Sequence, residues 1–153
     1  MSAVLKDVPR LAAMREADLD EVLAIENAVY SHPWTRGNFA DSLRSGYQCR
    51  TWRLRGELLG YFVLMAAAGE AHLLNLSVAA AWQRRGHGAA LLREALRVGR
   101  DCGARHMFLE VRPSNRPGQA LYERFGFRRI AQRRNYYPAP GGREDALVLS
   151  KAL

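Results

Sequence analysis

An apolar run over residues 72–81 gives way to Gln83-Arg84-Arg85-Gly86-His87-Gly88, and a helix-patterned stretch over residues 89–102 follows, stopped by Gly103. A second apolar run, residues 105–112, comes next and is bounded by Pro113. Strand, crossover helix and second strand read as a βαβ unit. The turn ahead of the helix has the makings of an anion site. The first backbone N–H groups of a helix have no partner within it and point at whatever lies on the axis. Glycine at 86 and 88 lets a phosphorylated ligand approach the backbone, and Arg84 and Arg85 add positive charge beside the helix dipole. Taken alone, the turn reads equally well as a basic cap.

The residues downstream narrow the choice. Glu110 stands between Leu109 and Val111 in the second strand. It either leaves the sheet and pairs with Arg112 or solvent, or sits where a base is wanted. Ser114-Asn115-Arg116-Pro117 has the form of a helix start, since Asn is a favoured N-cap and Pro is tolerated in a first turn. Leu121 and Phe125 of that helix share a face. Tyr122 falls on an adjacent one, as a core aromatic with its hydroxyl at the rim or as a proton donor aimed at a ligand.

Nearer the start, Asp18 and Glu21 form a plausible capping pair, and Leu19, Val22, Leu23, Ile25 and Val29 make a helical apolar stripe. A second helix is expected from Thr35, with Trp34 between the two as a core anchor or an acceptor contact. Strands are expected over residues 49–54 and 58–67, turned at Gly56. Two late strands, residues 127–131 and 145–153, flank a loop holding Tyr136 and Tyr137.

Together these stretches resemble the GNAT acetyltransferases, and within them the RimI-type protein N-terminal acetyltransferases. The resemblance rests on residues 83–88, on Leu109-Glu110-Val111-Arg112-Pro113-Ser114-Asn115, on Ala120-Leu121-Tyr122-Glu123-Arg124-Phe125-Gly126-Phe127, and on Arg133-Arg134-Asn135-Tyr136-Tyr137-Pro138 with residues 142–146. Residues 19–28 and Pro33-Trp34-Thr35 also look like the first helix and following turn of these enzymes. The resemblance implies an α/β GNAT fold over residues 1–153 as a single domain, with a central mixed, mostly antiparallel sheet and helices on both faces.

It further implies acetyl-coenzyme A as cosubstrate, held by Leu76, Ser77 and Val78 at the strand end, by Arg84, Arg85, Gly86, His87, Gly88 and Ala89 at the turn, and by Asn115. Relatives often carry Asp-Pro after the first strand; Ala79-Ala80 here suggests a looser strand exit. The implied chemistry is direct attack of an amine on the thioester. Glu110 is then the general base, Tyr122 the acid or hydrogen-bond donor to the departing thiolate, and the Val78 N–H the donor to the thioester oxygen. Trp34, Tyr136 and Tyr137 are implied walls of the acceptor site. An α-amino group, with a pKa of about 7.7 to 8.0, asks far less of a base than a lysine at about 10.4, which favours a protein N-terminus. Enzymes of this type are associated with the N-terminal alanine of a small-subunit ribosomal protein. A lysine or small-molecule acetyltransferase, and a non-catalytic binder of coenzyme A or RNA, are the alternatives.

The chain has 153 residues and a formal charge of +8, with no run of about twenty apolar residues and no signal-peptide pattern. A cytoplasmic monomer without a membrane partner is expected. The excess charge is Arg spread along the chain, read as a solvated basic surface rather than a nucleic-acid site. Cys49 and Cys102 are expected to be small buried residues rather than nucleophiles. His32, His72, His87 and His106 lack ligand spacing, so no metal is expected.

Overall fold

The computed structural model describes residues 7–153. Seven strands form one sheet: β1 (Arg10–Ala13), β2 (Gln48–Leu54), β3 (Glu57–Ala67), β4 (Glu70–Val78), β5 (His106–Val111), β6 (Arg128–Ala139) and β7 (Gly142–Ala152). Their spatial order is β1-β2-β3-β4-β5-β7-β6, and only β4 and β5 run parallel. The connection between those two is α3 (His87–Asp101), as a βαβ unit requires. Helices α1 (Leu19–Val29) and α2 (Arg36–Arg44) cover one face over Phe39, Tyr61 and Val63. On the other face α3 and α4 (Arg116–Arg124) enclose a core including Leu59, Phe62, Leu73, Leu91, Met107 and Leu109. Thr35 starts α2 with a reciprocal capping box to Asn38.

A bulge in β4 positions everything that follows. Val63 pairs with Asn75 but Leu64 with Leu73, which leaves Leu74 as an extra residue. Ala71 and Leu73 face α3, and so do Leu76 and Val78 beyond the bulge. Asn75 and Ser77 are thereby turned toward α1, where they reach Glu26 and Tyr30. Pairing of β4 with β5 ends at Leu73 opposite Leu109, and the two strands part.

Several expectations require correction. Tyr136 and Tyr137 lie within β6, which continues to Ala139 and turns at Pro140-Gly141 into β7, rather than on a loop. Almost all of β6 is exposed, so it lacks the alternation that marks a half-buried strand. β1 was not anticipated; four residues carry too little pattern. Asp18 does not cap α1. It closes a 3-10 turn at Glu16–Asp18, and Arg53 binds Asp18 (2.8 Å) and Glu21 (2.9 Å) together. Cys49 is buried, its thiol pushed up to about 11 by that burial, but Cys102 is exposed at the C-terminal cap of α3. The exit of β4 is also firmer than expected. Ala80–Trp82 forms a 3-10 turn, and the Gln83 side chain donates to the Val78 carbonyl at 3.0 Å.

Candidate active site

Backbone geometry at the end of β4 sets the site. Gly60 lies opposite Val78, and the Ala79 N–H donates to the Leu59 carbonyl at 2.8 Å. Gly60 and Val78 therefore face each other as a pair without mutual hydrogen bonds, and so do Phe62 and Leu76 two residues along. The N–H groups of Leu76 and Val78 point away from β3 into the gap where β5 has departed. Ser77 does the opposite: its backbone pairs with β3, and its buried side chain donates to Asn75 Oδ1 at 2.6 Å.

The turn after β4 presents a second row of donors. Gly86 caps α3 at φ 85°, a conformation that glycine adopts without penalty. The first helical bond of α3 is Ala90 N–H to Gly86 O, so the N–H groups of His87, Gly88 and Ala89 lie ahead of it. Arg85 lies over the Trp82 ring at 5.2 Å, and the His87 imidazole accepts from Trp52 Nε1 at 3.2 Å. The His87 side chain thus braces the turn while its backbone faces outward. Asn115 is the N-cap of α4, its Oδ1 accepting from Gly118 N–H at 3.0 Å, which leaves its amide NH2 available.

At the mouth of the gap, Glu110 does not pair with Arg112. Its Oε2 lies 2.5 Å from His72 Nε2, and its Oε1 lies 3.5 Å from Arg133 Nε. Arg112 instead binds Glu144 at 3.2 Å and lies over the Tyr137 ring at 4.3 Å. Burial, and then the Glu110 carboxylate, push the Tyr137 phenol well above its ordinary value. The Tyr122 ring packs edge-on against Phe127, with centroids 5.7 Å apart. Its hydroxyl makes no hydrogen bond among the described residues. Burial, together with the negative charge that Tyr30 and Tyr137 would carry if ionised, pushes this phenol far up as well. The Tyr122 ring therefore belongs to the core, and its hydroxyl is left without a partner among the described residues.

The wall on the α1 side is built on a buried carboxylate. Glu26 Oε1 accepts from Tyr61 (2.6 Å) and Asn75 (3.0 Å), and Oε2 accepts from the Trp34 N–H (2.9 Å). That last bond pins the segment between α1 and α2. Tyr30 is exposed overall, yet its hydroxyl is turned inward onto Ser77 Oγ at 2.6 Å, and burial pushes it up to about 12. Trp34 rests its ring on Phe39, with centroids 5.2 Å apart. On β6, Tyr136 and Tyr137 stand edge to face at 4.9 Å. The register of β6 against β7 shifts between Arg133 and Tyr137, and this bulge is held by Arg143, which donates to the Asn135 and Tyr136 carbonyls, and by Asp145, which accepts from Asn135 N–H.

A sequence profile of the acetyltransferase (GNAT) family matches residues 19–127. The chain belongs to the GNAT family. Among its GNAT relatives, the [ribosomal protein bS18]-alanine N-acetyltransferase of Escherichia coli K12 is 33% identical over 140 residues, 92% of this chain and 95% of that one. The enzyme of the same name from Haemophilus ducreyi is 32% identical over 139 residues, 90% of this chain and 96% of the other. The crystal structure of the Escherichia coli ribosomal-protein-S18-alanine N-acetyltransferase superposes with a TM-score of 0.88 at 32% identity, covering 95% of this chain and 94% of that one. This GNAT chain is accordingly an acetyl-coenzyme A-dependent N-acetyltransferase with a mixed sheet covered on both faces.

Sequence reasoning passed over Glu26, Tyr30 and His72. Glu26 left a signal: it follows Val22 by four residues and so falls within the apolar stripe, where a carboxylate needs partners. Replacing Glu26 by Leu leaves three inward donors without an acceptor, and we expect a loss of about 3 kcal/mol in stability. Loosening the Trp34 segment is expected to raise the KM for the acceptor severalfold more than that for acetyl-coenzyme A. Denaturant titration and steady-state kinetics check the two effects separately.

Proposed function

We propose that the chain transfers the acetyl group of acetyl-coenzyme A to the N-terminal α-amino group of a protein, that of a ribosomal protein beginning with alanine. The likeness to the Escherichia coli enzyme over nearly the whole of both chains carries this reading. In this reading Tyr136 and Tyr137, which stand edge to face, and the Trp34 segment, pinned on Glu26, would be the walls that receive an extended N-terminus. Pantetheine would lie along the N–H groups of Leu76 and Val78 as a further strand, with Ser77 fixing the strand from behind. The pyrophosphate would sit on the N–H groups of His87, Gly88 and Ala89 beside Arg84, Arg85 and Gly86, with the Asn115 amide nearby.

In this reading the amine attacks the thioester directly and no metal takes part. The Val78 N–H faces the carbonyl oxygen as it gains charge. Glu110 receives the proton lost by the nitrogen. Tyr122 acts by hydrogen bonding to the thiolate more than by proton transfer. Its phenol is pushed above an ordinary value near 10, while a thiol near 8.5 is the stronger acid. In this reading the chain works as a single catalytic domain and a cytoplasmic monomer, with neither a membrane nor a nucleic acid as partner. No helix among the described residues is long and apolar enough to cross a membrane.

Coenzyme A release with hexapeptides beginning Ala-Arg provides the test. Turnover is expected with a free N-terminus and not with a blocked one. Acetylation of lysine side chains or small amines alone would remove the protein N-terminus from the reading.

A further inference from the structure

His72 and Glu110 come from strands joined by a long crossover, and the parallel register brings them together. His72 stands opposite Phe108 across β4 and β5, and Glu110 lies two residues further along on the same face as Phe108. The contact falls where strand pairing stops, at the mouth of the gap in which the thioester is placed. The carboxylate side chain is only 9% exposed, against 27% for the imidazole. Arg133 and the Tyr137 phenol are the other charged or titratable groups beside the carboxylate, and both come from β6.

From this geometry we infer that the proton lost by the acceptor nitrogen is held by the His72–Glu110 pair, with His72 as the member that returns it to solvent. The inference rests on the transfer reading above and adds a positioning and proton-relaying residue to it. An ionised carboxylate only accepts hydrogen bonds, so the resting imidazole presents Nε2–H to Glu110 Oε2 and keeps Nδ1 as its open nitrogen. In the reaction the α-amino nitrogen bonds to the acetyl carbon, and the carbon–sulfur bond breaks with its electron pair left on sulfur. The nitrogen releases one proton to Glu110 Oε1, and because Nε2 already carries a hydrogen the proton reaches the open Nδ1 of His72 through water, leaving an imidazolium whose Nε2–H still donates to the carboxylate. The pair passes from one negative charge to none and is reset when the more exposed imidazole gives the proton to water. Glu110 alone would have to release it from a nearly buried carboxylate. The arrangement follows the logic by which a carboxylate orients an imidazole and stabilises its cationic form.

His72→Gln separates holding from relaying, because the amide NH2 still donates to Glu110 but cannot carry the proton onward. The expected result is a kcat about tenfold lower with unchanged KM for acetyl-coenzyme A and unchanged thermal stability. Combined with Glu110→Gln it should cost less than about twofold more, since members of one unit are not additive. In His72→Ala, added imidazole should restore part of kcat. Wild-type kcat in His72→Gln, or multiplying losses in the double variant, would overturn the inference. A failure of the acceptor reading shows differently: the wild type itself turns over no peptide but acetylates a small amine. The same series is then run on that amine, whose nitrogen must lose a proton in the same way.

Discussion

Glu110→Gln is expected to lower kcat for acetyl transfer to a free α-amino group by about 100-fold, with the KM for acetyl-coenzyme A held within about twofold. The lower end of the range for general base catalysis applies because an α-amino group near pKa 8 is partly neutral before it binds. What remains is the proton on nitrogen after attack, when the bond to carbon has made it acidic and a nearby acceptor decides whether the intermediate goes forward. Glutamine preserves the shape, and its carbonyl can still accept from His72 Nε2 at the observed contact. The loss therefore reads proton acceptance rather than collapse of the site. Steady-state kinetics at saturating acetyl-coenzyme A provides the check, and a variant with more than about a third of the wild-type kcat would remove Glu110 from the chemistry.

Gly60→Val is expected to cost about 3 kcal/mol or more in stability, which lowers the thermal midpoint by roughly 10 °C in a chain of this size. A Cβ there would lie 2.5 Å from the Ser77 carbonyl oxygen and 2.9 Å from Leu91 Cδ1. The first is backbone and the second belongs to a fully buried side chain in α3, so neither neighbour can give way cheaply. The carbonyl that would be displaced lies between Leu76 and Val78, the residues whose N–H groups open into the gap. Coenzyme A binding should therefore weaken along with the fold. Thermal unfolding with and without coenzyme A measures both. A variant as stable as wild type would show that α3 can ride outward over β3 without cost.

The β4–α3–β5 unit was legible because each of its parts announces itself locally: an apolar strand, a glycine turn, a helix stopped at Gly103 and a strand stopped at Pro113. Asn115 and Thr35 were legible as caps for the same reason. Of β6 only the start, within the strand expected over residues 127–131, was legible; its continuation through Arg133 and Arg134 to Ala139 was not, since those residues lie on an exposed edge whose pairing with β7 comes from tertiary context. The site divides along the same line. Glu110 and Tyr122 were picked out by residue type and neighbourhood, with their choice between structure and chemistry left open. The contact between His72 and Glu110, 38 residues apart, depends on strand register, which no local pattern encodes. Glu26 was missed although it stood in plain view, because the stripe around it was counted for its apolar members only.

Leu74 gives β4 two reading frames. Before it, odd-numbered residues supply the core under α3; after it, even-numbered ones do, and the polar Asn75 and Ser77 fall to the opposite side. Side chains on a strand alternate with a period of two, so one inserted residue works as a frameshift in space. Drawing Leu74 into regular pairing would send Asn75 and Ser77 into the oily layer beneath α3 and turn Leu76 and Val78 toward Glu26, whereas deleting Leu74 would close the ladder with Asn75 still opposite Val63.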